Sequence, residues 1–147
     1  MPLFAQQTER TVPDAGIKAQ LTELGYEYEV DDDNDFKLVF EVGEQGRSQI
    51  VYVLSAVESY GKHSVREVWS PAYESATDEF SAPLANRLLE ASNNAKLGAW
   101  VKQGKNATFV VKIPSDAGKE ALDDAMNIAI ELADEMENEL TPGQDVL

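Results

Sequence analysis

The feature that most constrains the fold is a long amphipathic stretch near the end of the chain, residues 116–140. Apolar side chains recur there every three or four residues, which is the spacing of one face of an α-helix. The apolar stripe and the residues that widen it on both flanks are Leu122, Met126, Ala129, Ala133, Met136, Leu140, Ala121, Ala125, Ile128, Leu132 and Ile130. The apolar arc spans roughly 200°, about twice the minimum that a helix needs to lie on one core. We therefore expect a helix, capped by Ser115 or Asp116, that covers a sheet and has apolar surface left for a partner.

Two shorter helices are predicted upstream. The first starts at Thr11, where Asp14 three residues on is close to a capping box, and it stops after about 12 residues at Gly25, where a left-handed C-cap favours glycine. The second starts at Ser81, and Asn93 and Asn94 near its end suit the left-handed conformation that stops a helix. Both have apolar residues at helical spacing, so both are expected to pack on a sheet.

Between the helices the hydrophobic period changes to two, which predicts strands. The strand segments are residues 26–30, 36–42, 49–57, 65–73, 97–101 and 107–113. Residues 49–57 are apolar on both faces, so this strand is expected to be central or to contact a partner. Pro71 shortens the strand at 65–73 and suggests that it lies at an edge of the sheet.

The order of these elements predicts a single α+β domain over residues 1–147. We expect an antiparallel sheet of about five or six strands with helices packed on it, in the order α-β-β-β-(β)-α-β-β-α. Residues 1–11 and 141–147 are expected to be flexible ends.

The charge of the chain disfavours several classes of partner. The formal net charge is −15, and a field of that sign repels nucleic-acid phosphates and anionic membranes. We expect no nucleic-acid or membrane binding; the acidity either keeps the chain soluble or complements a basic partner. Cysteine is absent, which fits a reducing compartment. Since no secretion signal or membrane-length apolar run is seen, a cytoplasmic location is expected.

No residue pattern assembles a catalytic, cofactor or metal site. The spacing of Asp31, Asp33 and Asp35 copies half of a calcium loop, but Phe36 and Val42 stand where that loop needs glycine and glutamate. The only histidine, His63, lies in a turn without a nucleophile-and-acid arrangement around it. We therefore expect no enzyme, no cofactor and no bound metal.

Residues 81–140, SAPLANRLLEASNNAKLGAWVKQGKNATFVVKIPSDAGKEALDDAMNIAIELADEMENEL, carry a family resemblance. Together with the predicted order of elements, this stretch resembles the bacterial YbjN family, whose members share the fold of type III secretion chaperones. The resemblance covers about residues 11–140 and implies a homodimer of α+β subunits that binds protein segments on apolar surface. The long segment 59–80, with its possible extra strand in the notation (β) above, is a departure from the family pattern.

We therefore predict a non-catalytic protein-binding domain of the YbjN type, a chaperone-like or regulatory adaptor that acts as a homodimer. The candidate partner or dimer surface comprises Val51, Val53, Val57, Met126, Ile130 and Ala133. The alternative is a domain that senses a small molecule in a pocket between helix and sheet. Aromatic residues of the predicted strands, Tyr52, Trp69, Tyr73 and Trp100, are expected in the core, or alternatively on an exposed contact surface.

Overall fold

The computed structural model describes residues 12–43 and 46–141. The helices are α1 (Ala15–Leu24), α2 (Ala82–Asn94) and α3 (Lys119–Leu140). The strands are β1 (Glu29–Val30), β2 (Phe36–Val42), β3 (Arg47–Val53), β4 (Glu58–Tyr60), β5 (His63–Glu74), β6 (Ala99–Gln103) and β7 (Asn106–Pro114). The expectation of flexible ends falls on residues 1–11 and 142–147, which lie outside the described residues. No helix in the described ranges is long and apolar enough to span a membrane.

The strands form one antiparallel sheet in the order β1-β2-β3-β5-β7-β6, with β4 paired to β5. The predicted α+β layout is therefore confirmed. The described residues contain seven strands, and the one that the sequence did not predict is β4. It has three residues, forms a hairpin with β5, and shows no clear alternation of apolar and polar side chains. The strand predicted at residues 49–57 is central, as expected, between β2 and β5.

The main core lies between the sheet and α3. The buried residues of α3 are Leu122, Ala125, Met126, Ala129, Ile130, Ala133, Met136 and Glu137. They pack with Ile17 and Leu21 of α1 and with one face of β2, β3, β5 and β7. A second cluster extends this core to Leu88 of α2. The wide apolar arc of α3 is thus covered within one chain, because the sheet, α1 and α2 each pack on a different part of it.

The prediction that Pro71 places its strand at an edge is wrong. Strand β5 runs between β3 and β7 in the middle of the sheet. The ladder from β5 to β7 shifts register between Pro71 and Tyr73. A bulge of this kind tolerates a residue without an N–H, because the ladder is already interrupted there.

The predicted cap of α3 is also wrong. The helix starts at Lys119, and its N-cap, Gly118, makes no side-chain hydrogen bond. Ser115 instead donates its backbone N–H to the carbonyl of Ser64 at 2.9 Å, which continues the pairing of β7 with β5. The residues before the helix are therefore held by the sheet, and Asp116 precedes the cap.

The expected left-handed stop at Asn93 and Asn94 is not observed. The C-cap of α2 is Ala95, which is extended with φ −73°. Among described residues other than glycine, only Asn34 has a positive φ, at 65°. The end of α2 is fixed by Ser92, whose hydroxyl donates to the carbonyl of Leu88 and accepts the N–H of Trp100 in β6, each at 2.8 Å.

Strand β3 ends at Val53, short of the predicted Val57, and a buried arginine holds the residues that follow it. Arg66 of β5 is 4% exposed and donates to the carbonyls of Leu54 (2.7 Å) and Ser55 (3.1 Å). Leu54 still donates its N–H to the carbonyl of Glu67 in β5 at 3.1 Å, whereas Ser55 donates its N–H to the Asp35 carboxylate at 2.8 Å. Arg66 also pairs with Asp14, the N-cap of α1, at 3.0 Å, so one side chain joins α1, the loop after β3, and the sheet.

We predict that Ala129→Asp prevents folding. Ala129 is fully buried at the centre of the α3 interface, and burying an unpaired carboxylate there costs several kcal/mol, a large part of the stability of a typical domain. Circular dichroism with urea titration measures the effect. The matched control is Ala121→Asp on the exposed side of the same helix, which should unfold like the wild type. A cooperative, wild-type transition for Ala129→Asp would contradict the packing of α3.

Candidate protein-binding surface

The structure places the predicted partner surface inside the core. Val51, Val53, Met126, Ile130 and Ala133 are all buried in the layer between the sheet and α3. Val57 is half-buried in the loop after β3. This corrects the expectation from sequence: five of the six residues are inaccessible to a partner. Val51 and Val53 of β3 point towards α3, and Met126, Ile130 and Ala133 are on the face of α3 that packs on the sheet.

The opposite side of the sheet is the accessible one. Side chains of β2, β3, β5, β6 and β7 that alternate with core residues point away from the helices, and no helix among the described residues packs on them. We call this surface the open face. Its apolar side chains form a band: Val39, Ile50, Tyr52, Trp69, Pro71, Ala99 and Val101, together with Val110, which is itself buried.

Strand register makes the band continuous. Val39 pairs with Ile50 across β2 and β3, and Tyr52 pairs with Trp69 across β3 and β5. Val110 of β7 then lies beside Trp69 on one side and Ala99 of β6 on the other. Neighbouring strands are ~4.8 Å apart, so the band crosses about 19 Å of sheet.

The open face carries only a small part of the negative charge of the chain. Its charged side chains are Lys37, Lys112, Glu29, Glu41, Glu58, Glu67 and Glu74. Two bases against five acids give −3, compared with −15 for the chain. Most of the repulsive charge therefore lies on other surfaces, including the outer side of α3.

A pocket of about 290 Å³ opens on this face at the β5 bulge. Tyr52, Trp69 and Pro71 form its apolar walls. Thr108 is 1% exposed, and its Oγ1, like the Oδ1 of Asn106, has no hydrogen-bond partner among the described residues. Buried polar atoms are usually paired, so the pocket contains hydrogen-bonding capacity that the chain itself leaves unused.

A second depression lies between α2, α3 and β6 and has a volume of about 210 Å³. We call it the α2–α3 groove. Its floor includes the Trp100 ring, which packs edge-on against Phe109 with centroids 5.4 Å apart. Arg87 and Glu139 close one end with two bonds of 2.7 and 2.8 Å. The Arg87 guanidinium holds the pKa of Glu139 below its usual range.

The three aspartates of the β1–β2 turn converge, with carboxylate oxygens within 4.8 Å of one another. Asp31 accepts the N–H groups of Asp33 (2.9 Å) and Asp35 (3.0 Å), and Asp35 accepts that of Ser55 (2.8 Å). The Asp31 carboxylate thus holds the turn, and the Asp35 carboxylate ties it to the loop after β3. Phe36, at the position where a calcium loop needs glycine, is the buried first residue of β2.

His63 is exposed as the first residue of β5, not in the preceding turn. It lines a shallow depression with Lys62, Ser64, Lys112 and Asp116 among others. Two lysines and one acid share this depression with the imidazole. The structure therefore gives His63 a solvated setting on the surface.

The comparisons with known proteins add no family to this geometry. A scan of protein-family models and a search of curated proteins both found no match to the chain. The candidate surface therefore rests on the described residues alone.

Sequence reasoning missed the open face as a whole. It recognised that residues 49–57 have two apolar faces, but it assigned Val51 and Val53 to the partner, whereas Ile50 and Tyr52 are the accessible pair. The sequence predicts Trp69 in the core or, as the alternative, on a contact surface. In the structure Trp69 lies on the open face, which favours the alternative. The sequence contained one signal of this surface. In β2, Val39 is an apolar residue at a position that alternates with the core residues, and such positions face solvent.

We predict that Asp35→Asn stabilises the fold at neutral pH. Burial is the main cause that raises the pKa of Asp35, helped by the charges of Asp31 and Asp33. Because the pKa is higher in the folded chain, the ionised carboxylate weakens folding at pH 7, and this penalty disappears as pH falls below the usual range of aspartate. The amide oxygen of Asn can still accept the Ser55 N–H.

Urea titrations at pH 7 and pH 3 measure this effect. The midpoint of Asp35→Asn should exceed that of the wild type at pH 7, with a smaller difference at pH 3. Asp32→Asn in the same turn is the control, since Asp32 is exposed and should shift the midpoint less. A lower midpoint for Asp35→Asn at pH 7 would show that the carboxylate charge is favourable there.

Proposed function

We propose that the protein is a non-catalytic protein-binding domain that acts as a homodimer, in the role of a chaperone-like or regulatory adaptor. The observation that carries this proposal is the open face, where a continuous apolar band crosses five strands with no helix of the described chain over it. An apolar patch of this kind on a protein surface marks an interaction site. Aromatic side chains such as Tyr52 and Trp69 are typical anchors of such sites.

The low charge of the open face supports a second copy as one partner. Two chains of −15 repel each other, and the repulsion is reduced where the facing surfaces carry −3 each. Lys37 and Lys112 can also meet Glu41 and Glu67 of a second copy across a two-fold axis, since such an axis pairs unlike residues reciprocally. Charge complementarity thus favours this face over the acidic outer side of α3.

The roles of chaperone or adaptor come from the resemblance to the YbjN family and its secretion-chaperone fold. The structure contributes an antiparallel sheet with two helices on one face and a strand hairpin between them, and a fold by itself does not determine function. Absence of cysteine supports a cytoplasmic setting for this role.

The α2–α3 groove supports a second candidate function, the sensing of a small molecule. The groove combines an apolar floor with charged groups at its rim, as ligand sites do. Its volume of about 210 Å³ is below the ~300–1,000 Å³ of usual ligand pockets. We therefore rank this function second. Ligand-dependent increases in thermal midpoint that disappear in Trp100→Phe would favour it.

We predict that Val39→Glu converts the dimer to a monomer. Val39 is 59% exposed, so the change leaves the fold intact but places an unpaired carboxylate in the interface, which should raise the dissociation constant at least about tenfold. Sedimentation equilibrium from about 1 to 100 µM measures this. Leu89→Glu is the matched control: Leu89 is 68% exposed on α2, on the helix layer, and should leave the dimer unchanged.

A wild-type chain that sediments as a monomer throughout this range would refute the homodimer. Equal weakening by Val39→Glu and Leu89→Glu would place the interface elsewhere. Unfolding curves of both variants, measured in parallel, separate loss of assembly from loss of fold.

A further inference from the structure

We propose that the pocket at the β5 bulge binds an arginine side chain of a protein partner. The inference rests on the proposed function, because it assigns a partner chemistry to one part of the open face. The pocket is lined by Tyr52, Trp69, Pro71, Glu74 and Thr108, with Gln103 and Asn106 at its β6–β7 side.

The pocket is a product of the backbone irregularity. Pro71 pairs with Thr108, but the next pair on β7, Ala107, is Tyr73 on β5, so Ala72 has no counterpart in the register. Pro71 has no N–H, and its carbonyl is taken on the core side by Gln49 at 2.8 Å. The interrupted ladder leaves the hydroxyl of Thr108 enclosed without a partner. A ligand that bonds this hydroxyl removes the cost of a buried unsatisfied group.

The polar groups of the pocket select a cationic donor. The Oδ1 of Asn106 and the Oγ1 of Thr108 are unpartnered oxygens, and Glu74 supplies a carboxylate. No base is among the lining residues. Two acceptors and one negative charge suit a group that carries several N–H donors and a positive charge.

The walls select a guanidinium. Tyr52 and Trp69 are neighbours across β3 and β5, and the indole N–H of Trp69 is already donated to Glu67 at 2.7 Å. The indole of Trp69 therefore offers its carbon surface and no free N–H. A guanidinium stacks on such rings and is weakly hydrated, whereas the ammonium of lysine is compact and strongly hydrated.

Size and charge indicate that the arginine comes from another protein. A volume of about 290 Å³ is at the lower end of the range for small-molecule pockets and suits one inserted side chain. The described arginines of this chain are engaged in pairs, Arg47 with Asp134, Arg66 with Asp14 and Arg87 with Glu139. A net charge of −15 also attracts a basic partner over long range.

The test is an NMR titration with acetyl-Gly-Arg-Gly-amide, followed through the indole N–H signals. The two tryptophans lie on opposite sides of the sheet, Trp69 in the pocket and Trp100 in the α2–α3 groove. Trp69→Phe and Trp100→Phe assign the two signals. We expect the Trp69 signal to shift with a dissociation constant on the order of 1 mM, typical for a single side chain, and the Trp100 signal to stay in place. The isosteric citrulline peptide, which is neutral, should bind at least about tenfold more weakly.

Two variants test the assigned contacts. Glu74→Gln should weaken binding about five-fold, whereas Glu79→Gln, an exposed glutamate of the following loop, should not. Thr108→Val should weaken binding without lowering the thermal midpoint, since the hydroxyl has no partner in the fold. If Thr108 had a purely structural role, Thr108→Val would lower the thermal midpoint and leave peptide binding unchanged.

Several results would overturn the proposal: no saturable shift up to about 20 mM peptide, a shift of Trp100 in place of Trp69, equal binding of citrulline, or equal loss in Glu74→Gln and Glu79→Gln. Tighter binding of agmatine than of the peptide would assign the pocket to a free small cation and overturn the protein source. The titration is repeated on Val39→Glu. Because the proposed dimer covers the open face, the absence of a shift overturns the pocket when Val39→Glu, whose open face is free of a second copy, also fails to bind the peptide. Sedimentation alone decides the homodimer, so the two failures are distinguishable.

Discussion

The structure depends on the burial of one face of α3 against one face of the sheet. Residues such as Leu122, Met126 and Ala129 fill the space over β3, β5 and β7. Fully burying a large apolar side chain contributes about 1.5–3 kcal/mol, so this interface rivals the net stability of an average domain. Because α1 and α2 lie on the same side, the other side of the sheet receives no cover from the described helices.

Sequence periodicity was sufficient to predict the helices and strands, but it could not show which face of a strand packs against a helix. The spacing of apolar residues predicted three helices and the central position of β3, since these depend on local patterns. The direction in which each face of β3 points depends on where α3 packs, and that is a long-range contact. The partner surface was therefore assigned to Val51 and Val53, which face α3, and not to Ile50 and Tyr52.

The position of β5 in the sheet also could not be predicted from its local sequence pattern. Pro71 argued for an edge strand because proline cannot donate to a ladder. The bulge next to it resolves the conflict, and its existence depends on the register of β7, which no local pattern in β5 reveals. The pocket walls could be suspected from aromatic residues in strands, but the unpartnered Thr108 hydroxyl could not, because its isolation is a consequence of that register.

The ends of the sheet have a consequence for how this chain behaves when concentrated. Exposed edge strands offer a template for strand addition and for amyloid-like stacking between molecules. Here β1 has only two residues, and the N–H of Trp100 in β6 is taken by the Ser92 hydroxyl of α2. The β6 border is therefore blocked at one position, whereas β1 pairs only with Phe36 and Lys37. Among the described residues, the backbone of residues 38–42 of β2 has no strand on that side. At high concentration, strand addition between molecules would begin at this border.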